Sequence, residues 1–204
     1  FHWFGTKNDI LDYQLRQIKK FFKNVQFVTI NAPYSIDRSV MNNDPSLTDL
    51  LNKTGNKCFT WLRVMHENMY TYFDQTMKYI EEVIRKEGPF DGLLGFSQGG
   101  TIACYFAYYC EFFKEKITFQ IPKFVIPICS PGFFPPQMKK KYTIEMPSVH
   151  FIGENDFLFE RPLYGSTLFV DPILIFHKEG HKIPKLTEHE IIILKTFFAK
   201  FLKN

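Results

Sequence analysis

The feature that most constrains the fold of this chain is a glycine-flanked serine, G-F-S-Q-G at residues 95–99. Two leucines before it form the apolar end of a predicted buried strand, and residues 101–107 predict a helix after it. A serine at such a sharp strand-to-helix turn has a strained backbone and an exposed hydroxyl. Gly95 and Gly99 suit this turn, because a Cβ at either position would collide where strand and helix pass closely. The pattern predicts Ser97 as a nucleophile, and an incidental serine in a glycine-rich connection is the alternative.

Candidates for an acid and a base follow two later strands. A nucleophilic serine needs a base, and the base needs an orienting acid; in α/β hydrolases the chain order is Ser, Asp or Glu, then His. Asp156 follows a strand predicted over residues 147–152, and His181 follows a strand predicted over 172–176. Loops at the carboxyl ends of parallel strands share one edge of an open sheet. The order therefore predicts Ser97, Asp156 and His181 as a catalytic triad.

Each assignment has a rival nearby. Glu154 is an alternative acid, two residues before Asp156, and His177 at the strand end is an alternative base. We favour His181 because a glycine precedes it and Ile-Pro follows shortly after, which predicts an irregular loop able to aim the imidazole inward. Asp171 precedes its strand, so it is expected at the opposite edge of the sheet. The other histidines are expected to be structural or solvated: His2, His66, His150 and His189.

Three segments together resemble the FSH serine hydrolases, the family that contains the ovarian-cancer-gene-2-like esterases. They are G-P-F-D-G-L-L-G-F-S-Q-G-G at residues 88–100, F-I-G-E-N-D at 151–156 and E-G-H-K-I-P at 179–184. The resemblance covers nearly the whole chain. It implies a compact α/β hydrolase that acts as a carboxylesterase or thioesterase without a cofactor. Carried over by position, it implies that the nucleophile is Ser97, the acid is Asp156 and the base is His181.

One position departs from the family pattern. A His-Gly pair usually follows the first strand in this family, whereas here Trp3 follows His2. This loop is expected to supply the second oxyanion-hole amide, from Phe4, beside the amide of Gln98. Because tryptophan restricts the backbone more than glycine does, the oxyanion hole could be reshaped or the acyl site narrowed. The departure keeps open a second hypothesis, a hydrolase-fold protein that binds a small ligand without turnover.

Hydrophobic patterning predicts one α/β domain over residues 1–204, with a mostly parallel sheet flanked by helices, and the family resemblance implies that this domain is an α/β hydrolase. Phe1 and His2 resemble the tail of a strand, so either the sequence is a fragment or the first strand is cut short there. Helices are predicted over residues 10–23, 68–87, 98–114, 159–168 and 187–202. Strands are predicted over residues 25–30, 91–96, 123–129, 147–152 and 172–176.

Composition and charge favour a small-molecule substrate. Hydrophobic residues at 45% exclude a disordered chain, and 24 phenylalanines predict an aromatic core and pocket. Three aromatic residues are expected to line an apolar site for a small acyl ester or thioester: Trp3, Phe133 and Phe157. The net charge of +4 is mild, and the Lys triplet at 139–141 lies in a predicted loop, which favours a solvated surface over a nucleic-acid site.

The remaining sequence patterns bear on the cellular compartment, on membrane spanning and on metal binding. The four cysteines lack C-x-x-C spacing, which predicts buried thiols in a reducing, cytoplasmic compartment, with an upstream targeting sequence left open. The longest apolar run, 102–110, is too short to span a bilayer. His177 and His181 are four residues apart, but Gly180 argues against the helix that a zinc motif of this spacing requires. No metal site is therefore expected.

Overall fold

A computed structural model describes residues 1–37, 57–62, 71–132 and 143–202. Phe133, His66 and the basic run at 139–141 lie outside these ranges, so the expectations for them stay predictions. In chain order the elements are α1 (Asn8–Gln14), α2 (Arg16–Phe21), β1 (Tyr34–Ile36), β2 (Cys58–Thr60), α3 (Thr71–Glu87), β3 (Gly92–Phe96), α4 (Gln98–Phe112), a 3-10 turn (Lys114–Lys116), β4 (Phe124–Ile128), β5 (Val149–Gly153), α5 (Glu160–Ser166), β6 (Ile173–His177) and α6 (Glu188–Phe198).

Four parallel strands form the central sheet in the order β3, β4, β5, β6. Every residue of β4 and of β5 is buried, as is typical of parallel strands covered on both faces. The register aligns Phe96 with Ile128 and Gly153 with His177, so the strands end at one edge. Strands β1 and β2 form a separate antiparallel pair.

Helices cover both faces of this sheet. Strand β4 alternates between them: Val125 packs into a cluster that contains residues of α3 and α4, whereas Phe124 and Ile126 pack into a cluster with residues of α1, α2 and α6. Helix α4 is buried on nearly every side, because it lies between the sheet and neighbouring segments. The predicted α/β class with a mostly parallel sheet is confirmed.

Two predicted elements differ from those observed. The helix predicted over residues 10–23 is interrupted at Leu15, which makes a turn between α1 and α2. The strand predicted over 25–30 does not form; this segment is irregular. A cavity of about 610 Å³ lies between residues 24–30 and the β3 side of the sheet. The segment is therefore not paired with β3. Its residues alternate like those of a strand, but it forms no β-ladder.

The first residues of the chain run beside β3. The amide of Phe96 donates to Phe1 O at 3.1 Å, and the Phe1 amino group donates to Leu94 O at 2.6 Å. A Cβ on Gly99 would lie 2.3 Å from Phe1 O, so the absence of a side chain there lets residues 1 and 2 approach the start of α4.

All four cysteines are buried thiols, as predicted. Within the described ranges, no helix combines the length and the apolar character needed to cross a bilayer.

Candidate active site

Ser97 occupies a strained turn between β3 and α4. Its φ of 53° and ψ of −121° lie in a region that residues with a side chain rarely adopt. Two hydrogen bonds hold the turn: Ser97 N donates to Ile128 O at 2.9 Å, and Thr101 N donates to Ser97 O at 3.1 Å. A Cβ on Gly95 would lie 2.1 Å from Gly99 O, so strand and helix pass as closely as the sequence indicated. The backbone is that of a nucleophile elbow.

His181 bridges the serine and an aspartate. Its Nε2 is 2.8 Å from Ser97 Oγ, and its Nδ1 is 2.8 Å from Asp156 Oδ2. Because an ionised carboxylate only accepts hydrogen bonds, Nδ1 carries the proton and Nε2 is free to accept the serine proton. The ring lies between Phe96 and Phe157, with centroid distances of 5.2 Å to each. The side chain of His181 is 15% exposed, whereas that of Asp156 is fully buried.

Asp156 is held by the turns that follow β5. Its own amide donates to Gly153 O at 3.1 Å, and Leu158 N donates to its Oδ1 at 2.9 Å. The loops after β5 and β6 are tied together, because Glu154 N donates to His177 O at 2.8 Å. A Cβ on Gly153 would lie 2.8 Å from the Glu179 carbonyl oxygen. The two loops therefore pack against each other and fix the aspartate relative to the histidine.

The rival residues lie elsewhere. Glu154 is exposed, and Asp171 precedes β6 at the opposite edge of the sheet. His177 is buried beside Cys129. His150 lies inside β5 with Nε2 3.0 Å from Ser148 Oγ, and burial lowers its pKa to about 3. The structure thus brings Ser97, Asp156 and His181 into one hydrogen-bonded chain and leaves the alternatives outside it.

Two backbone amides, those of Gln98 and Phe4, are predicted to bind the oxyanion. Gln98 is the first residue of α4, and amides in the first turn of a helix have no intrahelical acceptor. Within the described residues, the amide of Phe4 has no backbone acceptor either. The Gln98 side chain is fixed, because its Oε1 accepts from Trp61 N at 2.9 Å and lies 2.9 Å from Thr60 Oγ1. The arrangement leaves both predicted oxyanion donors available.

His2 holds the loop that contains Phe4. It is fully buried, and its Nε2 accepts from Ala32 N at 2.9 Å. The proton is therefore on Nδ1, which donates to Trp3 O at 2.7 Å. Trp61 Nε1 donates to His2 O at 2.8 Å. Burial lowers the pKa of His2 to about 4, so the neutral form is the one that makes these bonds. Sequence patterns indicated a structural role for His2 but not this tether.

Trp3 packs against Phe96, whose ring also contacts His181. Its ring lies 5.3 Å from that of Phe96, which in turn contacts His181. Its Nε1 is buried and has no partner among the described residues. Phe157, by contrast, is 82% exposed. Of the three residues expected to line the substrate site, Phe157 contacts the ring of His181, whereas Trp3 contacts Phe96.

In the described part of the chain, one set of possible metal ligands converges: Cys129, Asp156 and His181, with donor atoms within 4.8 Å of one another. Two of these side chains already form the hydrogen-bonded chain with Ser97. The cysteine is a member of the site that the sequence did not reveal. Only the alignment of β4 with β5 and β6 brings it there.

Proteins with similar sequences include esterases and serine hydrolases. The chain is similar to esterase CG5412 of Drosophila melanogaster, with 28% identity over 131 residues that cover 61% of this chain and 45% of that protein. It is also similar to Family of serine hydrolases 2 of Saccharomyces cerevisiae, with 31% identity over 118 residues, or 53% of each chain. The chain therefore spans about half the length of these curated relatives.

A solved structure and a family model agree with the similarity to these relatives. The crystal structure of esterase PE8 is similar to this chain, with a TM-score of 0.63 at 15% identity, covering 98% of this chain and 90% of that one. At this identity the similarity concerns the fold, which is that of the α/β hydrolases. A family model described as serine hydrolase (FSH1) matches residues 1–192. The resemblance noted in the sequence is confirmed, and the chain belongs to the FSH1 family of serine hydrolases.

Proposed function

We propose that this chain is an esterase that hydrolyses a small acyl ester or thioester through an acyl-enzyme. Family membership and relatives named as esterases support hydrolysis of ester bonds. The observation that carries the finer proposal is the chain of two 2.8 Å contacts from Ser97 Oγ through His181 to Asp156. It begins at a serine whose φ is 53°, and nucleophile and base within about 2.6–3.2 Å are the geometry of an activated serine.

In the first half-reaction Ser97 Oγ attacks the carbonyl carbon while its proton moves to His181 Nε2. The negative charge that develops on the carbonyl oxygen is held by the amides of Gln98 and Phe4. Asp156 accepts from Nδ1–H, which orients the imidazole and stabilises its cationic form. The tetrahedral adduct then expels the alcohol or thiol, which takes the proton from His181. The acyl group stays on Ser97.

In the second half-reaction water replaces the leaving group. His181 Nε2 accepts a proton from water as the oxygen attacks the acyl carbon, and the oxyanion again receives the two amide hydrogen bonds. Collapse breaks the bond to Ser97 Oγ, which regains its proton from His181. The products are a carboxylic acid and the regenerated enzyme. No step needs a cofactor.

Aromatic residues at the rim support an apolar acyl or leaving group. Phe157 is exposed although its ring lies 5.2 Å from that of His181, so an apolar substrate portion would cover it on binding. Trp3 lies behind Phe96 on the oxyanion side, and Phe133 stays a prediction. A screen of nitrophenyl esters and thioesters with acyl chains from about two to sixteen carbons tests this site.

A fluorophosphonate probe tests the nucleophile directly. The wild-type protein should be labelled at Ser97, and Ser97→Ala should abolish both labelling and turnover, with a rate loss of roughly 10⁶. Ser130→Ala is the matched control, since this buried serine at the end of β4 contacts Thr101 rather than His181. It should leave labelling intact. A wild-type protein that is folded but neither labelled nor active would favour the ligand-binding alternative.

A further inference from the structure

The side chain of Gln98, the residue after the proposed nucleophile, has one fixed end and one open end. Its Oε1 accepts from Trp61 N at 2.9 Å and lies 2.9 Å from Thr60 Oγ1. A backbone amide can only donate, so the atom beside Trp61 N is the oxygen and the other is the nitrogen Nε2. Nε2 has no acceptor among the described residues, and it is not one of their buried polar atoms that lack a partner. It is therefore a donor open to solvent.

Trp61 is a rigid partner for this carboxamide. It is fully buried, its Nε1 donates to His2 O at 2.8 Å, and its carbonyl oxygen accepts from Thr76 Oγ1 at 2.7 Å. All of its polar groups are therefore bonded, to the first loop of the chain, to α3 and to Gln98. Because this partner is held in place, the carboxamide of Gln98 has one orientation. A donor that is ordered in advance loses less conformational freedom when it binds a ligand than a mobile side chain does.

The carboxamide connects the nucleophile elbow with the loop that contains Phe4. Strand β2 is bonded to that loop, because Gly5 N donates to Phe59 O at 3.0 Å and Phe59 N donates to Thr6 O at 2.9 Å. The two residues after Phe59 are those that hold Oε1 of Gln98. The side chain of Gln98 thus joins the two segments whose amides are proposed to bind the oxyanion.

The proposed mechanism assigns this part of the site to the acyl group of the substrate. The leaving group has to lie against His181, because Nε2 of that residue gives it a proton. The carbonyl oxygen has to lie at the amides of Gln98 and Phe4. The side chain of a residue that binds the carbonyl oxygen is therefore expected beside the acyl group rather than beside the leaving group. The ring of Phe157, which contacts His181, is then available to an apolar leaving group.

We propose that Gln98 Nε2 is a specificity-determining donor, which binds an oxygen acceptor in the acyl group of the substrate. The inference rests on the proposed function and narrows its substrate class. The preferred substrates are esters or thioesters whose acyl group carries an ether, keto or amide oxygen close to the scissile carbonyl. Such an oxygen replaces the water that the acyl group displaces from Nε2, whereas a methylene at the same place leaves the donor unpaired.

The test uses two nitrophenyl esters that differ by one oxygen in place of a methylene. Methoxyacetyl and butanoyl groups have the same length, and only the first has an acceptor in its chain. The ratio of kcat/KM for the two esters is measured in the wild type and in Gln98→Met, which keeps the backbone amide. The wild-type ratio should be about 3- to 10-fold higher, the range for one hydrogen bond between neutral groups. Comparing ratios cancels the difference in intrinsic reactivity between the esters.

Gln98→Glu separates the two ends of the side chain. One carboxylate oxygen still accepts from Trp61 N, while the other replaces the donor and repels an acceptor. The ratio should therefore fall at least as far as in Gln98→Met, even if the added charge lowers the turnover of both esters. Gln75→Glu is the matched control, because this exposed glutamine of α3 accepts from Tyr34 OH at the surface. It should keep the wild-type ratio.

The inference is overturned if both Gln98 variants keep the wild-type ratio. This includes a loss of kcat/KM by the same factor for both esters, which a purely structural role of the side chain predicts. If Gln98→Met does not fold, Gln98→Glu gives the same comparison with the bond from Trp61 retained. A wild-type protein that is not labelled at Ser97 and hydrolyses neither ester would instead contradict the proposed function.

Discussion

The two sides of Ser97 are built in different ways. The acid–base side, meaning the loops after β4, β5 and β6 with Asp156 and His181, follows directly from strands in register at one sheet edge. The oxyanion side, meaning residues 2–6 with 31–32 and 57–62, contains only the short strand β2 and is held by hydrogen bonds from side chains and by a backbone bridge between Thr6 and Phe59. On one side the parallel sheet positions the groups, and on the other side buried polar side chains contribute together with a short backbone bridge.

This difference affects how each side should respond to substitution. On the acid–base side the proposed acid and base lie on loops that follow strands of the parallel sheet, so replacing one of these side chains should remove chemistry and leave the sheet intact. On the oxyanion side the proposed functional groups are backbone amides, which a side-chain substitution other than proline leaves in place. Their orientation depends on His2, Trp61 and Gln98, so the sensitive positions are the side chains that fix the loop.

The largest expected loss of turnover that would test this comparison is for substitution of Asp156, the proposed acid. Asp156→Asn should lower kcat by about 10⁴, because the amide favours the wrong histidine tautomer, while the fold is unchanged. Steady-state kinetics and a thermal melt check both points. His177→Ala serves as the rival variant. If it abolished activity while His181→Ala remained active, the base would be His177.

On the oxyanion side the expected effect is smaller. His2→Leu removes the donor to Trp3 O and the acceptor for Ala32 N, so the amide of Phe4 loses its orientation. We expect kcat/KM to fall by about 10², the scale for one oxyanion donor. His150→Leu, which removes an equally buried histidine from β5, is the matched control and should keep wild-type kinetics. Equal losses in both variants would mean that general destabilisation, not the loop, is responsible.

Acid should weaken the folded protein through the same histidine. The pKa of His2 is lowered from 6.5 to about 4. Between these two pH values His2 is therefore protonated in the unfolded chain and neutral in the folded chain. The contribution of His2 to the free energy of unfolding is complete above pH 6.5. It falls by about 3 kcal/mol as the pH drops towards 4. Urea unfolding at several pH values measures the slope. His2→Leu should reduce it, and an unchanged slope would show that His2 is accessible to protons when folded.

The smallest effect is expected at Trp3. If its bulk narrows the acyl site, Trp3→Gly should raise kcat/KM for long acyl chains by about 10-fold, the lower range for apolar pocket contacts, and barely change acetate. If Trp3 instead distorts the amide of Phe4, the same substitution should raise kcat for every chain length. A profile unchanged in rate and chain length would mean that Trp3 contributes to neither.

Local spacing was enough to predict much of the fold and that Ser97, Asp156 and His181 lie at one edge of the sheet. The G-F-S-Q-G turn predicts Ser97 because strand, glycines and helix are neighbours in sequence, and buried parallel strands are recognisable as short apolar runs. The same patterns were misleading at residues 25–30, which alternate like a strand but do not form one. A strand needs a partner, and the presence of a partner is not encoded in the segment itself.

By itself the sequence determined the elbow, the order of Ser97, Asp156 and His181, and the α/β class, because these depend on residues close together in the chain or on strand order. Only the tertiary structure decided that His181 contacts the serine while His177 contacts a sulfur. It also decided that Cys129 lies behind Asp156 and that His2 bonds to Ala32. Contacts of this kind join residues separated by about 27 to 84 positions, and burial and strand register, which act across the whole domain, select among the candidates.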